Sequence, residues 1–231
     1  MSCDYCDEYK GIKTVYNEIY GSLDREVYST KKFRVFPCMG QLREGHLLIV
    51  IKRHTNCIGM LSKEELRELE EIVLKIKDFY MNKYGLYTLC FEHGVLCDDG
   101  SQGGCGIYHM HLHLLPIKIG EYNEILNCLQ KDKQNIIYPI LGFEDIDKFV
   151  KQGKTYIFIS GHNDILNING YILLNENNFF ESQYMRKIIA YVLKHEKWDW
   201  RSVNCIEQEL LNTIKYAKKF FESSKFGLEK N

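Results

Sequence analysis

The sequence predicts an α+β protein, and three observations support this fold class. Apolar residues that alternate with polar ones predict short strands on both sides of one long amphipathic helix at residues 63–84. Strands that come in blocks around a helix are typical of α+β folds. The 231 residues are 45% hydrophobic and 26% charged, which is the composition of a globular protein with a sizeable core.

The strands predicted in the first half lie before and after this helix, at residues 26–29, 32–36, 46–51, 86–92 and 107–117. Ser62 and Glu65 form a capping box at the start of the helix, and Gly85 is expected to end it. One stripe of the helix is apolar, which predicts packing against other elements: Leu66, Leu69, Ile72, Val73, Ile76 and Tyr80.

The second half is richer in asparagine and lysine. Its periodicity predicts a helix near residues 121–130, strands at 156–160 and 171–174, and helices at 181–194 and 206–222. We therefore predict a boundary near Gly120, with one domain at residues 1–118 and a C-terminal α+β extension at residues 119–231.

Composition and charge argue against several classes of protein. The formal net charge is −1, so there is no global electrostatic case for binding nucleic acid or a membrane surface. No stretch approaches the roughly 20 apolar residues of a membrane span, and the first residues lack the features of a signal peptide. The 9 cysteines are scattered, which fits reduced thiols and predicts a cytoplasmic protein.

Three histidines alternate along one apolar run, at His109, His111 and His113. Successive side chains of a strand point to opposite faces, so these three imidazoles are expected to share one face. Such a face can bind an anion, transfer protons, act as a nucleophile or bind metal.

A second candidate site begins at the Cys3-x-x-Cys6 pair. His54 ends one predicted strand and His109 begins another, so the two histidines can complete a tetrahedral zinc site with the cysteines if these strands are neighbours. The alternative is a pair of ordinary exposed thiols.

These motifs resemble those of the histidine-triad (HIT) superfamily of nucleotide hydrolases and transferases. Beside the triad, residues 45–54 resemble the family's Gly-His-apolar-strand-Lys-x-His segment, and the Cys3/Cys6 start is typical of its zinc-bearing branch. The resemblance covers roughly residues 1–118. It implies an antiparallel sheet of about five strands with the long helix packed on one face, and a homodimer.

The resemblance also implies a role for each residue. His111 would attack the α-phosphorus of a nucleotide phosphoanhydride, phosphoramidate or nucleotide-sugar and form a nucleotidyl-histidine. His113 and His46 would bind the phosphate oxygens. The zinc would be structural, since four protein ligands leave no open position, and its ligands would be Cys3, Cys6, His54 and His109.

The sequence departs from the family pattern just before the triad. Cys105 stands where the family often has glutamine, and Ile117 stands where many members have arginine. Gly104, Cys105 and Gly106 are candidate substrate-binding residues. The backbone N–H groups of Gly103, Gly104 and Gly106 are able to cradle phosphate, or these glycines only permit a tight loop.

The C-terminal half contributes further candidates, which resemble a divergent HIT-like group. Gln183 and Arg186 lie three residues apart on one predicted helical face, where they either contact substrate phosphate or form a solvated surface. Trp198 and Trp200 are expected to be core or helix-packing residues rather than a base-stacking platform.

Two other functions stay open on the sequence alone. The protein can be a non-catalytic nucleotide-binding or interaction module that keeps the fold. The second alternative is that the triad histidines bind a catalytic metal. The motif lacks the nearby carboxylates that are usual for hydrolytic metal centres.

Overall fold

The computed structural model describes residues 3–103, 107–161 and 169–226, with side chains up to residue 223 in the last range. Its centre is one antiparallel sheet with the strand order β1-β2-β3-β5-β4-β7-β8-β6. The strands are Tyr28–Ser29 (β1), Phe33–Pro37 (β2), Leu47–Ile51 (β3), Tyr87–Gly94 (β4), His111–Ile117 (β5), Asn135–Ile140 (β6), Tyr156–Ser160 (β7) and Gly170–Asn175 (β8).

Seven α-helices are formed within these described ranges. They are Asp4–Tyr9 (α1), Val15–Tyr20 (α2), Lys63–Tyr84 (α3), Ile119–Lys131 (α4), Asp147–Lys151 (α5), Tyr184–Leu193 (α6) and Gln208–Phe226 (α7). Short 3₁₀ turns occur at Ile58–Met60, Phe143–Ile146 and Trp200–Ser202. None of the described helices is both long and apolar enough to cross a membrane.

The predicted α+β class is confirmed, but the expected number of strands is wrong. The sheet has eight strands because the second half of the chain continues it. Strand β7 pairs antiparallel with β4, in a register that places Cys90 opposite Ser160 and His93 opposite Ile157. Pairing with β7 satisfies the backbone groups along the second edge of β4. The division at residue 118 stays a prediction.

The long helix α3 has the predicted ends. The Ser62 hydroxyl accepts a hydrogen bond from the Glu65 N–H, while the Glu65 carboxylate accepts one from the Ser62 N–H. Gly85 ends the helix in the left-handed conformation, at φ 63°. The apolar stripe of α3 packs on one face of the sheet, in a buried cluster that contains Met110, Leu112 and Leu114.

The opposite face of the sheet is covered by α4 and α6. A second buried cluster joins Leu115 and Ile117 of β5 with Ile125 of α4 and Ile189 of α6. Because side chains alternate along a strand, His111 and His113 lie on the same face as Leu115. The alternation of β5 thus directs its histidines toward α6, away from α3.

The structure differs from the sequence prediction near the first triad histidine. Strand β5 begins at His111, and His109 lies in a bend just before it. Three short helices, α1, α2 and α5, and the edge strand β6 were not predicted. Each has at most six residues, too few for a clear hydrophobic period.

Candidate functional site

Three buried histidines meet where β3 and β5 pair. The register places Leu48 opposite His113, and His46 immediately precedes β3. The His46 Nε2 atom lies 3.0 Å from His113 Nδ1, and the ring centroids of His111 and His113 are 5.1 Å apart. Phe91 stacks on His113 with a centroid distance of 4.3 Å, which holds that ring in place.

The hydrogen bonds of His111 assign its tautomer. Its Nδ1 lies 2.6 Å from the backbone oxygen of His109. A carbonyl oxygen only accepts, so Nδ1 carries the proton. In the neutral ring, the lone pair is then on Nε2, and His111 lines a pocket beside the site. An unprotonated imidazole nitrogen is able to act as a nucleophile.

The two other histidines form a hydrogen-bonded pair that leaves one donor for a ligand. Burial, with a contribution from the Arg186 charge, holds the pKa values of His46 and His113 well below their usual range, so both rings are neutral. His46 Nδ1 is buried without a partner in the described structure. A buried N–H without an acceptor is especially unfavourable, so we assign the His46 proton to Nε2, which donates to His113 Nδ1. The proton of His113 is therefore on Nε2.

The four predicted metal ligands come together beside this pair. The ligand atoms of Cys3, Cys6, His54 and His109 all lie within 4.8 Å of one another. Cys6 Sγ is 3.5 Å from both His54 Nδ1 and His109 Nδ1, and Cys3 Sγ is 3.2 Å from His109 Nδ1. In a tetrahedral zinc site, sulfur and nitrogen ligands are about 3.6 Å apart, given the usual bond lengths. The residues present therefore fit zinc.

The histidines of this cluster have the outer partners expected of zinc ligands. His109 Nε2 donates to the backbone oxygen of Ile51 at 2.6 Å, which leaves Nδ1 free for a metal. His54 Nε2 lies 3.4 Å from an Asp98 carboxylate oxygen, whose other oxygen accepts from the Asn56 amide at 2.7 Å. Asp98 was not recognised from the sequence, because its loop position showed no link to a histidine 44 residues earlier.

Burial raises the pKa of the Cys3 thiol to about 11. A thiol in this environment holds its proton at neutral pH, and a bound cation would favour the thiolate. The second described group of potential ligands, Cys38, His46 and His113, has the guanidinium of Arg186 only 3.3 Å from Cys38 Sγ. A positive charge there opposes a metal cation. Cys38, His46 and His113 are therefore an unfavourable site for a catalytic metal ion.

A partly open pocket lies beside the histidines. Its lining includes both triad histidines of β5, a cation and several aromatic rings: His111, His113, Arg186, Tyr5, Tyr16 and Trp200.

Two buried cations line this pocket: Arg25, which forms an ion pair with Glu8, and Arg186, with 3% of its surface exposed. The Arg186 guanidinium donates to the backbone oxygens of Trp198 and Gly40, both at 2.7 Å, and to Cys38 Sγ. Among the described residues, no carboxylate forms an ion pair with it. Its charge acts on the Asp199 carboxylate from beyond ion-pair distance, so Arg186 is still able to attract an anionic ligand.

Gln183 and the segment Gly104-Cys105-Gly106 are the remaining predicted site residues. Gln183 is buried, but it does not line the pocket; it bonds to Asp199 and to the N–H of Trp200. Gly104, Cys105 and Gly106 lie outside the described residues. The preceding Gly103 is bridged to Phe180, which contacts the ring of His93 at 5.7 Å.

Glu92 lies on β4 behind the site, on the face opposite to His93. Its carboxyl accepts hydrogen bonds from the Tyr156 hydroxyl at 2.5 Å and from the Ile58 N–H at 2.8 Å. Burial raises the pKa of Glu92 from 4.5 to about 7, against the opposing effect of these bonds. The protonated form therefore stabilises the fold below pH 4.5, and this contribution is lost as the pH rises to about 7.

Replacing Glu92 with glutamine should flatten this pH dependence. Between about pH 5 and pH 8, the free energy of unfolding of the unmodified protein is expected to fall by up to about 3 kcal/mol more than that of Glu92→Gln. Urea denaturation of both proteins across this range measures the difference. Parallel pH profiles would show that Glu92 does not titrate with folding.

Comparisons with known proteins are consistent with this geometry. Residues 13–123 match the family described as "Scavenger mRNA decapping enzyme C-term binding". The nitrilase and fragile histidine triad fusion protein NitFhit of Caenorhabditis elegans is 27% identical over 110 residues, which are 46% of this chain and 24% of that protein. The match thus spans about a quarter of that relative.

Solved structures of similar proteins include two with 24% and 18% sequence identity. A HIT family protein from Bacillus anthracis is covered over 74% of its length, by 51% of this chain, with a TM-score of 0.39. A zinc-bound histidine triad family protein from Mycobacterium smegmatis is covered over 78%, by 52% of this chain, with a TM-score of 0.38. The family match over residues 13–123, the likeness to a fragile histidine triad fusion protein and the triad at the start of β5 support the resemblance to the histidine-triad superfamily.

Proposed function

We propose that the protein is a nucleotidyl hydrolase or transferase that acts through a covalent intermediate on His111. Its substrate would be a nucleotide phosphoanhydride, phosphoramidate or nucleotide-sugar. One observation carries the proposal: the hydrogen bond from His111 Nδ1 to the backbone oxygen of His109 leaves an unprotonated Nε2 in a pocket that also holds a buried cation.

In the first step, the lone pair of His111 Nε2 attacks the α-phosphorus and forms a P–N bond. The bond from phosphorus to the leaving group breaks, and the leaving group departs with that electron pair and is protonated from solvent. In the second step, water or a phosphate-bearing acceptor attacks phosphorus and loses a proton. The P–N bond breaks, and its electrons return to His111 Nε2.

The neighbouring groups stabilise the charge on the transferring phosphoryl group. His113 Nε2–H is available to donate to an equatorial phosphate oxygen, and its orientation is held by His46 and Phe91. Arg186 supplies a fixed positive charge, since its guanidinium is already held by neutral acceptors. Donors that are already oriented need no reorganisation when charge develops in the transition state.

Zinc bound by Cys3, Cys6, His54 and His109 would serve a structural role, because four protein ligands leave no position for substrate. Its ligands join α1 to the bend before β5, where His109 also supplies the carbonyl that orients His111. A homodimer and a cytoplasmic location stay predictions from the sequence.

Trapping the intermediate tests this function. The zinc-loaded protein is mixed briefly with a nucleoside phosphoramidate, a dinucleoside polyphosphate or a nucleotide-sugar, and its intact mass is recorded. We expect a mass increase of one nucleotidyl group, located on the peptide with His111 and absent in His111→Ala. Saturable nucleotide binding with no adduct and no turnover of any of the three would instead identify a non-catalytic binding module.

A further inference from the structure

Trp200 was expected to be a packing residue, but it lies at the pocket. It begins the turn Trp200–Ser202, remains partly exposed and lines the same pocket as His111 and His113. Trp198, by contrast, packs against the buried cluster of α4 and α6. Among the described residues, Trp200 belongs to none of the buried apolar clusters. Core packing therefore does not explain where Trp200 is placed.

The backbone around Trp200 is held by two buried polar side chains at the start of α6. Gln183, 4% exposed, accepts from the Trp200 N–H at 3.2 Å and donates to the Asp199 carboxylate at 2.6 Å. Arg186 donates to the Trp198 backbone oxygen at 2.7 Å. Gln183 also adopts a left-handed conformation at φ 59°, which is uncommon for a residue other than glycine. Gln183 and Arg186 together fix the backbone of the segment that carries Trp200.

The loop before β3 packs closely against the turn Trp200–Ser202. Gly40 has φ 64°, and a Cβ atom there would lie 3.1 Å from Trp200 Cα and 3.0 Å from the Arg186 guanidinium. Any larger residue would therefore press on both neighbours. The close approach brings residues from the two halves of the chain together at one wall of the pocket.

We propose that Trp200 contacts the substrate and stacks on its nucleobase. This inference rests on the proposed function, because it assumes a nucleotide whose α-phosphate lies at His111. Within the pocket, Arg186 and His113 suit the phosphate, and the aromatic side chains of Tyr5, Tyr16 and Trp200 suit a flat ring joined to it. Stacking on an aromatic side chain tolerates different bases, so Trp200 would select for a base without specifying which one.

Tryptophan fluorescence gives a direct test, because the chain has only 2 tryptophans. In Trp198→Phe, Trp200 is the sole tryptophan emitter, and the substitution changes a side chain outside the pocket. The zinc-loaded variant is titrated with adenosine, guanosine and uridine monophosphates, and with ribose 5-phosphate, which lacks a base. We expect saturable quenching by the nucleotides, and binding of ribose 5-phosphate, measured by thermal shift, without quenching.

Substitution of Trp200 provides the second measurement. In Trp200→Ala, the Kd for nucleoside monophosphates is expected to rise about 5- to 150-fold, the usual range for loss of one base–aromatic stack. The Kd for ribose 5-phosphate should stay unchanged, and Trp200→Phe should restore most of the nucleotide affinity.

The outcomes separate this proposal from the proposed function. Nucleotide binding that leaves Trp200 emission unchanged and is equally tight in Trp200→Ala would overturn the role of Trp200, while a His111 adduct would still support nucleotidyl transfer. If the unmodified protein neither binds nucleotides nor forms the adduct, the proposed function fails, and the role of Trp200 fails with it.

Discussion

Replacing His111 with alanine is expected to lower kcat/KM for a nucleoside phosphoramidate by at least about 10⁴-fold, or roughly 5 kcal/mol of transition-state stabilisation. The reason is that His111 Nε2 is the atom that bonds to phosphorus in the proposed mechanism. The pocket walls and the Arg186 charge remain in the variant, so nucleotide binding should persist. Steady-state turnover and thermal shift with nucleoside monophosphate measure the two effects separately.

The matched control is His195→Ala. His195 follows α6, accepts from the Lys197 N–H at 3.2 Å and does not line the pocket. Its removal should leave kcat and KM unchanged. A His111→Ala protein that retains its folded melting profile and turns over at the unmodified rate would rule out His111 as the nucleophile.

Loss of the metal cluster is expected to have the largest effect on stability. Helix α1 has six residues, too few to be stable alone, and its described core contact is through Tyr5. Zinc bound by Cys3 and Cys6 would connect this helix to His54 and His109. Removing zinc that is present at a thousand times its Kd costs about 4 kcal/mol, or about 8–16 °C in Tm for a chain of this size.

Cys6→Ser tests this prediction, with Cys205→Ser as the control at an exposed cysteine. Elemental analysis should find one zinc per chain in the control and none in Cys6→Ser. Hydrogen exchange should become faster across residues 3–9. Because α1 also supplies Tyr5 and Glu8 to the pocket wall, nucleotide binding should weaken. Zinc that survives Cys6→Ser but is lost in His111→Ala would instead show that the triad binds the metal.

Much of the candidate site could be predicted from local sequence. The alternation in residues 109–113 identified the histidine face, and the Cys3-x-x-Cys6 spacing with His54 and His109 predicted the ligand cluster that the fold brings together. The capping box at Ser62 and the glycine after Tyr84 defined both ends of α3. These features depend on residues close together in the chain, so pattern and spacing were sufficient.

Other features depend on pairing between distant segments. The extra strands join the sheet because β7 pairs with an edge of β4, and nothing in either segment alone specifies that partner. Asp98 reaches His54 through a loop whose path depends on the whole fold. Local sequence could not place Trp200 either, since a tryptophan suits a core and a binding surface equally well.

The triad histidines show most clearly which features local sequence predicts and which depend on the tertiary structure. Their presence and spacing were evident from residues 109–113, where they looked equivalent. Their protons are assigned by partners elsewhere in the fold: the backbone oxygen of Ile51 for His109, and His46 for His113. An imidazole is a donor at one nitrogen and an acceptor at the other, and its surroundings determine which is which. Tertiary contacts therefore give His109 and His113 different hydrogen-bond partners, and the proposed roles of metal ligand and phosphate donor rest on this difference.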